Sequence, residues 1–348
     1  MKKTLMIVSM MMVVLVMIAG CGGAGENNHS NHAANHTNQT NNEGSSNDTA
    51  ANNTSDNKDV RVIQHAMGET TVEGTLVRVV TLYQGATDVA VALGVIPVGV
   101  VESWTQQPMY EYLRDELKDV PIVGLETQPN LEEISKLNPD LIIASKLRHE
   151  KVYEQLSQIA PTVTHETVYK FKDTVQLIGQ ATNQKEKADE LLSNWNERTE
   201  DFKTKIATKL GENWPLEVSV LNFRTDHARI YVTGFAGDIL SELGFVRSEV
   251  QQKAADDGNV VLKLTDKESI PSMDADVFFI FNADGHSPDA AMIEQTYKEW
   301  TNHPLWKNLN AVQNDQVTIV DEVAWNMGGG YISANQMLDQ IYEHYELK

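Results

Sequence analysis

The sequence lacks three features that would point to common functional classes. Its one cysteine, Cys21, excludes an internal disulfide and any zinc site built from several cysteines. It is poor in basic residues, with 28 lysines and arginines against 49 acidic residues and a formal net charge of −21. That balance argues against nucleic-acid binding, which needs a net basic surface. No GxSxG, P-loop, HExxH or GxGxxG motif is present, so the sequence favours a binding protein over an enzyme.

Long apolar runs are also missing, except at the N-terminus. Two lysines precede an apolar stretch at residues 4–19, which is shorter than the ~20 residues of a membrane-spanning helix and typical of an export signal. The stretch ends in Ala19-Gly20-Cys21 and so resembles the lipobox of bacterial lipoproteins. We therefore expect residues 1–20 to be a signal peptide and Cys21 to carry a lipid. A plain secretory signal is the alternative.

Residues 21–58 are low in complexity, rich in Asn, Ser, Thr, Ala and Gly, and contain no large apolar side chain. Because such a segment cannot bury a core, we predict a flexible tether that lifts a folded body off the membrane. Its histidines, His29, His32 and His36, are interpreted as solvated rather than metal-bound. A lipid anchor on a long tether favours the extracytoplasmic face of the cell membrane, in a Gram-positive cell.

Strand and helix patterns alternate from residue 59 onward. In the first half, strands are predicted at Leu76–Leu82, Pro97–Val101, Ile122–Leu125 and Asp140–Ser145, and helices at Ala86–Gly94, Leu131–Leu137 and His149–Ile159. In the second half, strands are predicted at Leu216–Phe223, Arg229–Val232, Asp276–Phe281 and Val317–Val320, and helices at Phe235–Phe245 and Ile332–Leu347. This alternation is typical of parallel sheets built from βα units.

Residues 184–210 interrupt the alternation with one long helical pattern. Its apolar positions recur at helical spacing, with no Gly or Pro before Gly211. At 1.5 Å per residue this helix reaches roughly 40 Å, which fits a rigid strut between two lobes better than an ordinary surface helix. We therefore predict two Rossmann-like α/β lobes, residues 59–183 and 211–348, joined by the helix at 184–210.

A short internal repeat lies on either side of this helix. The pattern Glu132-x-Ile134-x-x-Leu137-x-x-Asp140 recurs as Glu268-x-Ile270-x-x-Met273-x-x-Asp276. Each copy predicts a helix that presents an acidic residue and then leads into a buried strand. One match of this length could arise by chance, but one copy on each side of the helix indicates two similar lobes.

Candidate binding residues lie on the loops that follow the predicted strands, since ligands of open α/β sheets bind at the carboxyl ends of the strands. Arg224 and Arg229 flank a turn, where two guanidinium groups can converge on carboxylate oxygens. The full candidate set is Tyr83, Trp104, Lys146, Arg148, Arg224, Arg229, Tyr231 and Trp325. Packing, salt bridging or solvation is the alternative for each. His227 and His286 are interpreted as polar loop residues, and no metal site is predicted.

Several stretches are similar to the iron–siderophore substrate-binding lipoproteins of bacterial ABC importers. They are Ile63-Gln-His-Ala-Met-Gly68, Arg78-Val-Val80, Ala92-Leu-Gly-Val-Ile-Pro-Val-Gly99, Gly124-Leu-Glu-Thr-Gln-Pro-Asn-Leu-Glu-Glu-Ile134 and Pro139-Asp-Leu-Ile-Ile-Ala-Ser145. The resemblance covers residues 60–348. Glu102-Ser-Trp104 and Ser145-Lys-Leu-Arg148 are most similar to the ferric-citrate-binding members.

The resemblance implies a class III periplasmic-binding-protein-like fold with the ligand in a cleft between the lobes. It implies no cofactor and no enzyme activity, because the iron of the captured ferric complex is held by the siderophore itself. It also implies that Glu132 and Glu268, one on each lobe, dock on arginines of an ABC permease pair driven by a cytoplasmic ATPase. Two solvated glutamates that stabilise helix N-termini are the alternative.

The expected function is therefore the capture of an anionic ferric siderophore, with ferric citrate favoured, by a lipid-anchored monomer that does not bind nucleic acid. Another ferric siderophore of the hydroxamate or catecholate type is the first alternative, and haem or a corrinoid is the second. A tethered surface enzyme or an adhesin on the same scaffold is the alternative from a different class. A hydrolase would need a nucleophile or metal motif, which the sequence does not show.

Overall fold

A computed structural model describes residues 60–282 and 289–348 of the chain. The predicted signal peptide, Cys21, the tether with its histidines, and His286 lie outside these residues. In the two described ranges, no helix combines the length and the apolarity needed to cross a membrane.

The strands and helices follow one another along the chain in the order of their numbers. The strands are β1 (Val60–His65), β2 (Gly68–Glu73), β3 (Val79–Thr81), β4 (Gly99–Glu102), β5 (Ile122–Leu125), β6 (Gln128–Pro129), β7 (Leu141–Ser145), β8 (Thr162–His165), β9 (Val218–Phe223), β10 (Ala228–Tyr231), β11 (Val261–Leu264), β12 (Val277–Ile280) and β13 (Val317–Ile319).

The α-helices are α1 (Gln84–Ala92), α2 (Arg114–Leu117), α3 (Leu131–Lys136), α4 (Lys146–His149), α5 (Tyr153–Ile159), α6 (Phe171–Ala181), α7 (Lys185–Leu210), α8 (Gly234–Glu242), α9 (Glu249–Asp256), α10 (Ala290–Thr301), α11 (Pro304–Lys307), α12 (Asn310–Gln313) and α13 (Tyr331–His344). Short 3₁₀ segments span Glu111–Leu113, Glu150–Val152, Gly211–Asn213 and Lys267–Met273, and a π-helical turn spans Val323–Met327.

The N-lobe (residues 60–183) is built on a six-stranded sheet of order β6-β5-β4-β3-β7-β8. All its pairs are parallel except β5–β6 at the edge. Its central strands β3 and β7 are fully buried and apolar apart from Thr81 and Ser145, as expected of a sheet covered by helices on both faces. The predicted βα alternation is therefore correct here, and the hairpin β1–β2 is an addition that the sequence analysis left unassigned.

The C-lobe (residues 211–348) has a five-stranded sheet of order β11-β10-β9-β12-β13. Strands β9, β12 and β13 are parallel, whereas β10 pairs antiparallel with both β9 and β11. The N-lobe connects its first two parallel strands, β3 and β4, through helix α1, whereas the C-lobe connects β9 and β10 by a hairpin turn. Because a hairpin turn leaves the sheet at the end of β9, it carries Arg224 to the same edge as the other candidate residues.

Helix α7 joins the lobes over 26 residues, a length of about 39 Å. Its buried face recurs at helical spacing, through Ala188, Leu191, Trp195, Thr199, Phe202 and Ile206. Trp195 packs edge-to-face on Phe171 of the N-lobe at 5.0 Å between ring centroids, and Phe202 stacks on Phe245 of the C-lobe at 6.0 Å. The predicted fold of two α/β lobes joined by a long helix is confirmed.

The internal repeat corresponds to equivalent positions in the two lobes. Asp140 Oδ2 accepts hydrogen bonds from the backbone N–H groups of Val77 and Arg78, just before β3. Asp276 Oδ2 accepts from the N–H of Glu217, just before β9, at 2.8 Å. In both lobes the strand that follows the aspartate pairs in parallel with the strand that precedes the repeat. Strand β7 pairs with β3, where Leu141 lies opposite Val79, and β12 pairs with β9, where Val277 lies opposite Val218.

The same contacts explain two differences from the sequence expectations. The strand predicted over Leu76–Leu82 is confined to β3, since the N–H groups of Val77 and Arg78 bond to Asp140 and not to a neighbouring strand. The second copy of the repeat is a 3₁₀ segment and not an α-helix, because Pro271 lies inside it and has no N–H to donate.

Helices α1 and α8 form a second repeat, at an offset of 150 residues, that the sequence analysis missed. Both end in a Leu-Gly pair whose glycine has a positive φ, 78° at Gly94 and 97° at Gly244. The N–H of the residue after each glycine then bonds back into the helix, as from Val95 to Ala90 O and from Phe245 to Leu240 O. The two lobes are therefore variants of one pattern.

Candidate functional site

A cavity of about 310 Å³ lies between the two lobes, at the ends of the strands. This volume is at the lower end of the range of small-molecule sites. Five residues predicted from the sequence line it: Trp104, Arg148, Arg224, Arg229 and Tyr231. The structure thus brings together side chains that lie up to 127 positions apart in the chain, from both lobes.

The N-lobe wall centres on Arg148, on the helical turn that follows the buried strand β7. Its Nε donates to Glu126 Oε1 at 3.0 Å, and its guanidinium carbon lies 5.9 Å from the centroid of the Trp104 ring. The second Glu126 oxygen accepts from the N–H of Gln84 at the start of α1 at 3.1 Å. Burial raises the pKa of Glu126, while the hydrogen bond from Gln84 and the charge of Arg148 act in the opposite direction.

His149 fixes the loop that carries this wall. It is fully buried, and its Nδ1 accepts from the N–H of Ser145 at 3.0 Å while its Nε2 donates to the backbone oxygen of Glu126 at 2.9 Å. Burial lowers the pKa of His149 to about 4, and the backbone oxygens of Glu126 and Ser145 near the ring oppose that shift. The imidazole is therefore neutral at pH 7 and acts as a structural bridge between the ends of β5 and β7.

The C-lobe wall is the hairpin β9–β10. The N–H of Arg224 donates to His227 O at 2.8 Å and closes the turn, so Arg224 and Arg229 lie on either side of it. Arg229 Nε donates to His227 Nε2 at 3.0 Å, and His227 Nδ1 lies 2.6 Å from Asp226 Oδ1. That contact with His227 holds the pKa of Asp226 below its usual range.

The base of the cavity is a glycine-rich segment of the C-lobe, Gly328–Gly330, together with the π-helical turn before it. Gly329 and Met327 line the cavity. A Cβ on Gly85 at the start of α1 would lie 2.5 Å from Gly329 O, so the two lobes meet here backbone to backbone. The segment Gly328–Gly330 is thus also an interlobe contact.

Asp88 on α1 holds the helix that follows this segment. Its carboxylate accepts from the backbone N–H groups of Ile332 and Ser333, at 2.7 and 2.9 Å, and from Tyr112 Oη at 2.7 Å. Burial raises the pKa of Asp88 to about 6, and the hydrogen bonds oppose that rise. An acidic side chain at the N-terminus of α13 is also favoured by the helix dipole.

With this geometry established, comparison with known proteins identifies the family. Residues 79–324 match the family described as periplasmic binding protein, which is more than half of the chain. The chain belongs to this family.

Three relatives show which part of the family is similar to this chain. An achromobactin-binding periplasmic protein of Dickeya dadantii is 50% identical over 265 residues, 76% of this chain and 85% of the relative. The crystal structure of Staphylococcus aureus SirA complexed with staphyloferrin B is 52% identical, with a TM-score of 0.81, and covers 83% of this chain and 99% of that one. The Fe(3+)-citrate-binding protein YfmC of Bacillus subtilis is 32% identical over 307 residues, 86% of this chain and 91% of the relative.

Three predicted site residues of this periplasmic binding protein lie outside the cavity lining. Tyr83 precedes α1 and points into the core, where its Oη lies 3.1 Å from Thr174 Oγ1. Trp325 is buried against Phe279, at 4.6 Å between ring centroids, and its Nε1 donates to Gln340. Both aromatic residues are needed to fill the interior, so the expectation that they form cleft walls is corrected.

Lys146 is the third residue that the structure places elsewhere. It lies two positions before Arg148 on the same helical turn, but its Nζ lies 3.1 Å from Glu166 Oε1. Residues two apart on a helix point to different sides, which explains why Arg148 enters the cavity and Lys146 does not.

Several other residues line the cavity and were not predicted from the sequence. They include Gln84, Glu126, Val168, Tyr169, Phe235 and Met327. Glu126 directly follows β5, so the strand-end rule that found Arg148 also applies to it. The sequence-based prediction included basic and aromatic side chains and left out the acidic ones. Glu126 is the buried member of the pair, and a buried carboxylate needs a basic partner such as Arg148.

The two predicted docking glutamates are both exposed, one on each lobe. Glu132 is in the first turn of α3, where its carboxylate pairs with Lys136 at 2.8 Å. Glu268 is in the 3₁₀ segment before β12. Each follows a capping residue, Asn130 or Asp266, whose side chain accepts backbone N–H bonds. Their role in docking remains a prediction.

Metal-ligating side chains do not cluster in the part of the chain that the structure describes. No group of three or more His, Cys, Asp or Glu residues is placed to hold a metal ion in residues 60–282 and 289–348. The charged and aromatic groups that line the cavity are the guanidinium groups, the Glu126 carboxylate and the rings of Trp104, Tyr169, Tyr231 and Phe235.

Proposed function

We propose that this protein is the substrate-binding component of an ABC importer and captures an anionic ferric siderophore between its lobes. The observation that supports this best is the presence of three arginines, from both lobes, around one cavity in a chain of net charge −21. Guanidinium groups donate in pairs to carboxylate oxygens. Binding of an anionic ligand would therefore explain why basic residues cluster at this cavity in an otherwise acidic protein.

The magnitudes are sufficient for a binding protein. A hydrogen bond between charged groups contributes about 1.5–3 kcal/mol, and micromolar binding requires about 8 kcal/mol. With one such bond each, Arg148, Arg224 and Arg229 contribute about 4.5–9 kcal/mol before the costs of association, so paired donation by each guanidinium is needed at the lower end. Trp104, which is 45% exposed, and Tyr231 add flat apolar surface beside them. The iron stays coordinated by the siderophore, so no protein side chain needs to bind it.

Two ligand candidates have separate support. The relatives at 50% and 52% identity are an achromobactin-binding protein and a protein whose crystal structure is a complex with staphyloferrin B, which makes the ferric complex of a siderophore of that kind the first candidate. The short loops around Trp104 and Arg148, and the relative named for Fe(3+)-citrate at 32% identity, support ferric citrate as the second. Both proposals place carboxylates of the ligand against the same arginines.

The proposal includes delivery to a membrane permease and attachment to the membrane. The export signal predicted at residues 1–20, followed directly by Cys21, supports a lipid anchor on the extracytoplasmic face. The exposed glutamates at equivalent positions of the two lobes support docking on a permease built from two similar halves. The protein itself makes and breaks no bond of the cargo.

Titration of the purified protein tests the ligand, with tryptophan fluorescence as the readout. Ferric staphyloferrin B, ferric citrate, a ferric hydroxamate, a ferric catecholate and iron-free citrate are compared. We expect saturable quenching by a carboxylate complex of iron and a loss of at least tenfold in affinity for Arg224→Ala and Arg229→Ala, with unchanged thermal unfolding. Quenching by the hydroxamate alone, or unchanged affinity in both variants, would contradict the proposed site.

A further inference from the structure

Two of the three cleft arginines are held in the same way, although they lie on different lobes. The Nε of Arg148 donates to Glu126 of the N-lobe, and the Nε of Arg229 donates to His227 of the C-lobe, each at 3.0 Å. The guanidinium of Arg224 makes no hydrogen bond or ion pair with any side chain or backbone group in residues 60–282 and 289–348. Among the three cleft arginines, two are therefore held at Nε by a described side chain, and Arg224 is not.

The choice of Nε matters for what the guanidinium can do. A carboxylate can bind either along the side of the group, through Nε and one Nη, or at its end, through the two Nη nitrogens. When Nε is bonded to the protein, the end with its two Nη nitrogens stays available for the ligand. The bond also fixes the direction of the group, so less conformational entropy is lost when the ligand binds.

The proton positions on His227 follow from its neighbours. Arginine does not give up its protons in a protein, so His227 Nε2 must accept from Arg229. The imidazole proton is then on Nδ1, where it is donated to Asp226 Oδ1 at 2.6 Å. An acidic residue that selects the tautomer of a histidine in this way is a common support of functional groups.

His227 is also held firmly in place. The residue is 6% exposed, and its backbone oxygen accepts the bond that closes the hairpin turn. His227 does not line the cavity, whereas Arg229 does. An effect of the His227 side chain on a ligand is therefore indirect, and the hydrogen bond from Arg229 connects that side chain to the cavity.

From these contacts we infer that His227, supported by Asp226, is a positioning residue that aims Arg229 at the carboxylates of the ligand, as Glu126 aims Arg148 from the opposite wall. The inference rests on the proposed function for the nature of the ligand. The relay Asp226–His227–Arg229 itself is independent of the ligand.

The relay is tested first without any ligand, by NMR of the arginine Nε–H groups. The signal of Arg229 is assigned by its loss in Arg229→Lys. We expect its exchange with solvent to become at least tenfold faster in His227→Leu and to stay slow in His227→Gln, whose amide oxygen can replace Nε2 as acceptor. Equal exchange rates in the wild type and His227→Leu would overturn the relay.

Affinity then tests the positioning role, with the ferric complex that the wild type binds most tightly as the probe. We expect His227→Leu to lose at least tenfold and His227→Gln to stay within about threefold. Arg229→Lys keeps the charge but has no Nε, so it should lose as much as His227→Leu. The double variant should bind no more weakly than Arg229→Lys, because the two changes break one interaction.

Arg224→Lys is the matched control on the same hairpin. Since Arg224 is not held at Nε, its replacement by lysine should cost clearly less affinity than Arg229→Lys. Equal losses at the two positions, or wild-type affinity in His227→Leu, would overturn the positioning role. A wild-type protein that binds none of the ferric complexes would overturn the proposed function instead, and the exchange measurement would still decide the relay.

Discussion

The two walls of the cleft hold their arginines with different partners. On the N-lobe the partner is the carboxylate of Glu126, which is 3% exposed, so Arg148 and Glu126 form a pair of zero net charge under the face of Trp104. On the C-lobe the partner is the imidazole of His227, and the carboxylate that supports it, Asp226, lies on the outside with a side chain 74% exposed.

The two walls therefore differ in what they can contribute to the binding of an anionic ligand. The C-lobe wall faces the cavity with Arg224 and Arg229, which pair with no carboxylate within residues 60–282 and 289–348, and the nearby Asp226 is screened by water. The N-lobe wall faces it with a compensated pair and an aromatic ring. An anionic ligand is therefore drawn mainly to the C-lobe wall, while the N-lobe wall contributes directed donors and a flat surface.

The difference between the lobes should not extend to the proposed docking residues, which occupy equivalent positions in the two lobes. We expect Glu132→Gln and Glu268→Gln each to reduce siderophore-dependent iron uptake at least tenfold, because each would remove one of the two charge contacts proposed with a permease. Affinity for the ferric complex should stay at the wild-type level. Glu133→Gln is the matched control, since Glu133 lies beside Glu132 and also pairs with Lys136. Uptake reduced equally by the control would show that general surface charge is responsible.

The N-lobe wall should also show a pH dependence through His149. Its pKa falls from the usual 6.5 to about 4 in the folded protein, so the folded state binds fewer protons than the unfolded state between these values. The stability that the neutral His149 contributes is fully present above pH 6.5. As the pH falls towards 4, the free energy of unfolding should decrease by an amount on the order of 2–3 kcal/mol. Urea unfolding between pH 7 and 4.5 should show this slope in the wild type and a smaller one in His149→Asn. Parallel curves would contradict a buried neutral imidazole.

Stability should distinguish the two positioning partners. Glu126→Leu leaves Arg148 Nε and the N–H of Gln84 without their acceptor, which should cost about 1–3 kcal/mol. His227→Leu removes a neutral acceptor from an arginine that can turn to water, so its cost should stay below about 1 kcal/mol. Urea unfolding at pH 7 compares the two variants. A larger loss of stability for His227→Leu than for Glu126→Leu would contradict the expectation that the buried Glu126 is the more important acceptor for stability.

The sequence predicted the elements with strong patterns and missed those set by distant contacts. Strand β5 and helix α7 were predicted within one residue at each end, because an apolar run or a helical period is local information. The reduction of β3 to three residues was not predictable, since it depends on Asp140, which lies 62 positions away from Arg78. The π-helical turn and the contact between Gly85 and Gly329 depend on the meeting of two lobes in the same way.

The candidate site also contains residues that local sequence patterns predicted and residues whose placement depends on distant contacts. The strand-end rule placed Arg148, Arg224 and Arg229 correctly at the cavity, because it depends only on topology. It could not tell that Tyr83 and Trp325 turn inward, since the side of a loop on which an aromatic ring packs is decided by the core it fills. The acidic partner of Arg148 was also missed, although it follows β5 directly.

Helix α13, the final helix of the sequence, packs on α1 and α6 of the N-lobe. Met337, Leu338 and Ile341 belong to the same apolar cluster as Ala86 and Val89. The core of the N-lobe is thus completed by a helix that follows the whole C-lobe sheet in the sequence, and without that helix Asp88 lacks two of its donors. The N-lobe therefore cannot reach its final packing before the C-lobe sheet has been synthesised, so the two lobes are expected to finish folding together.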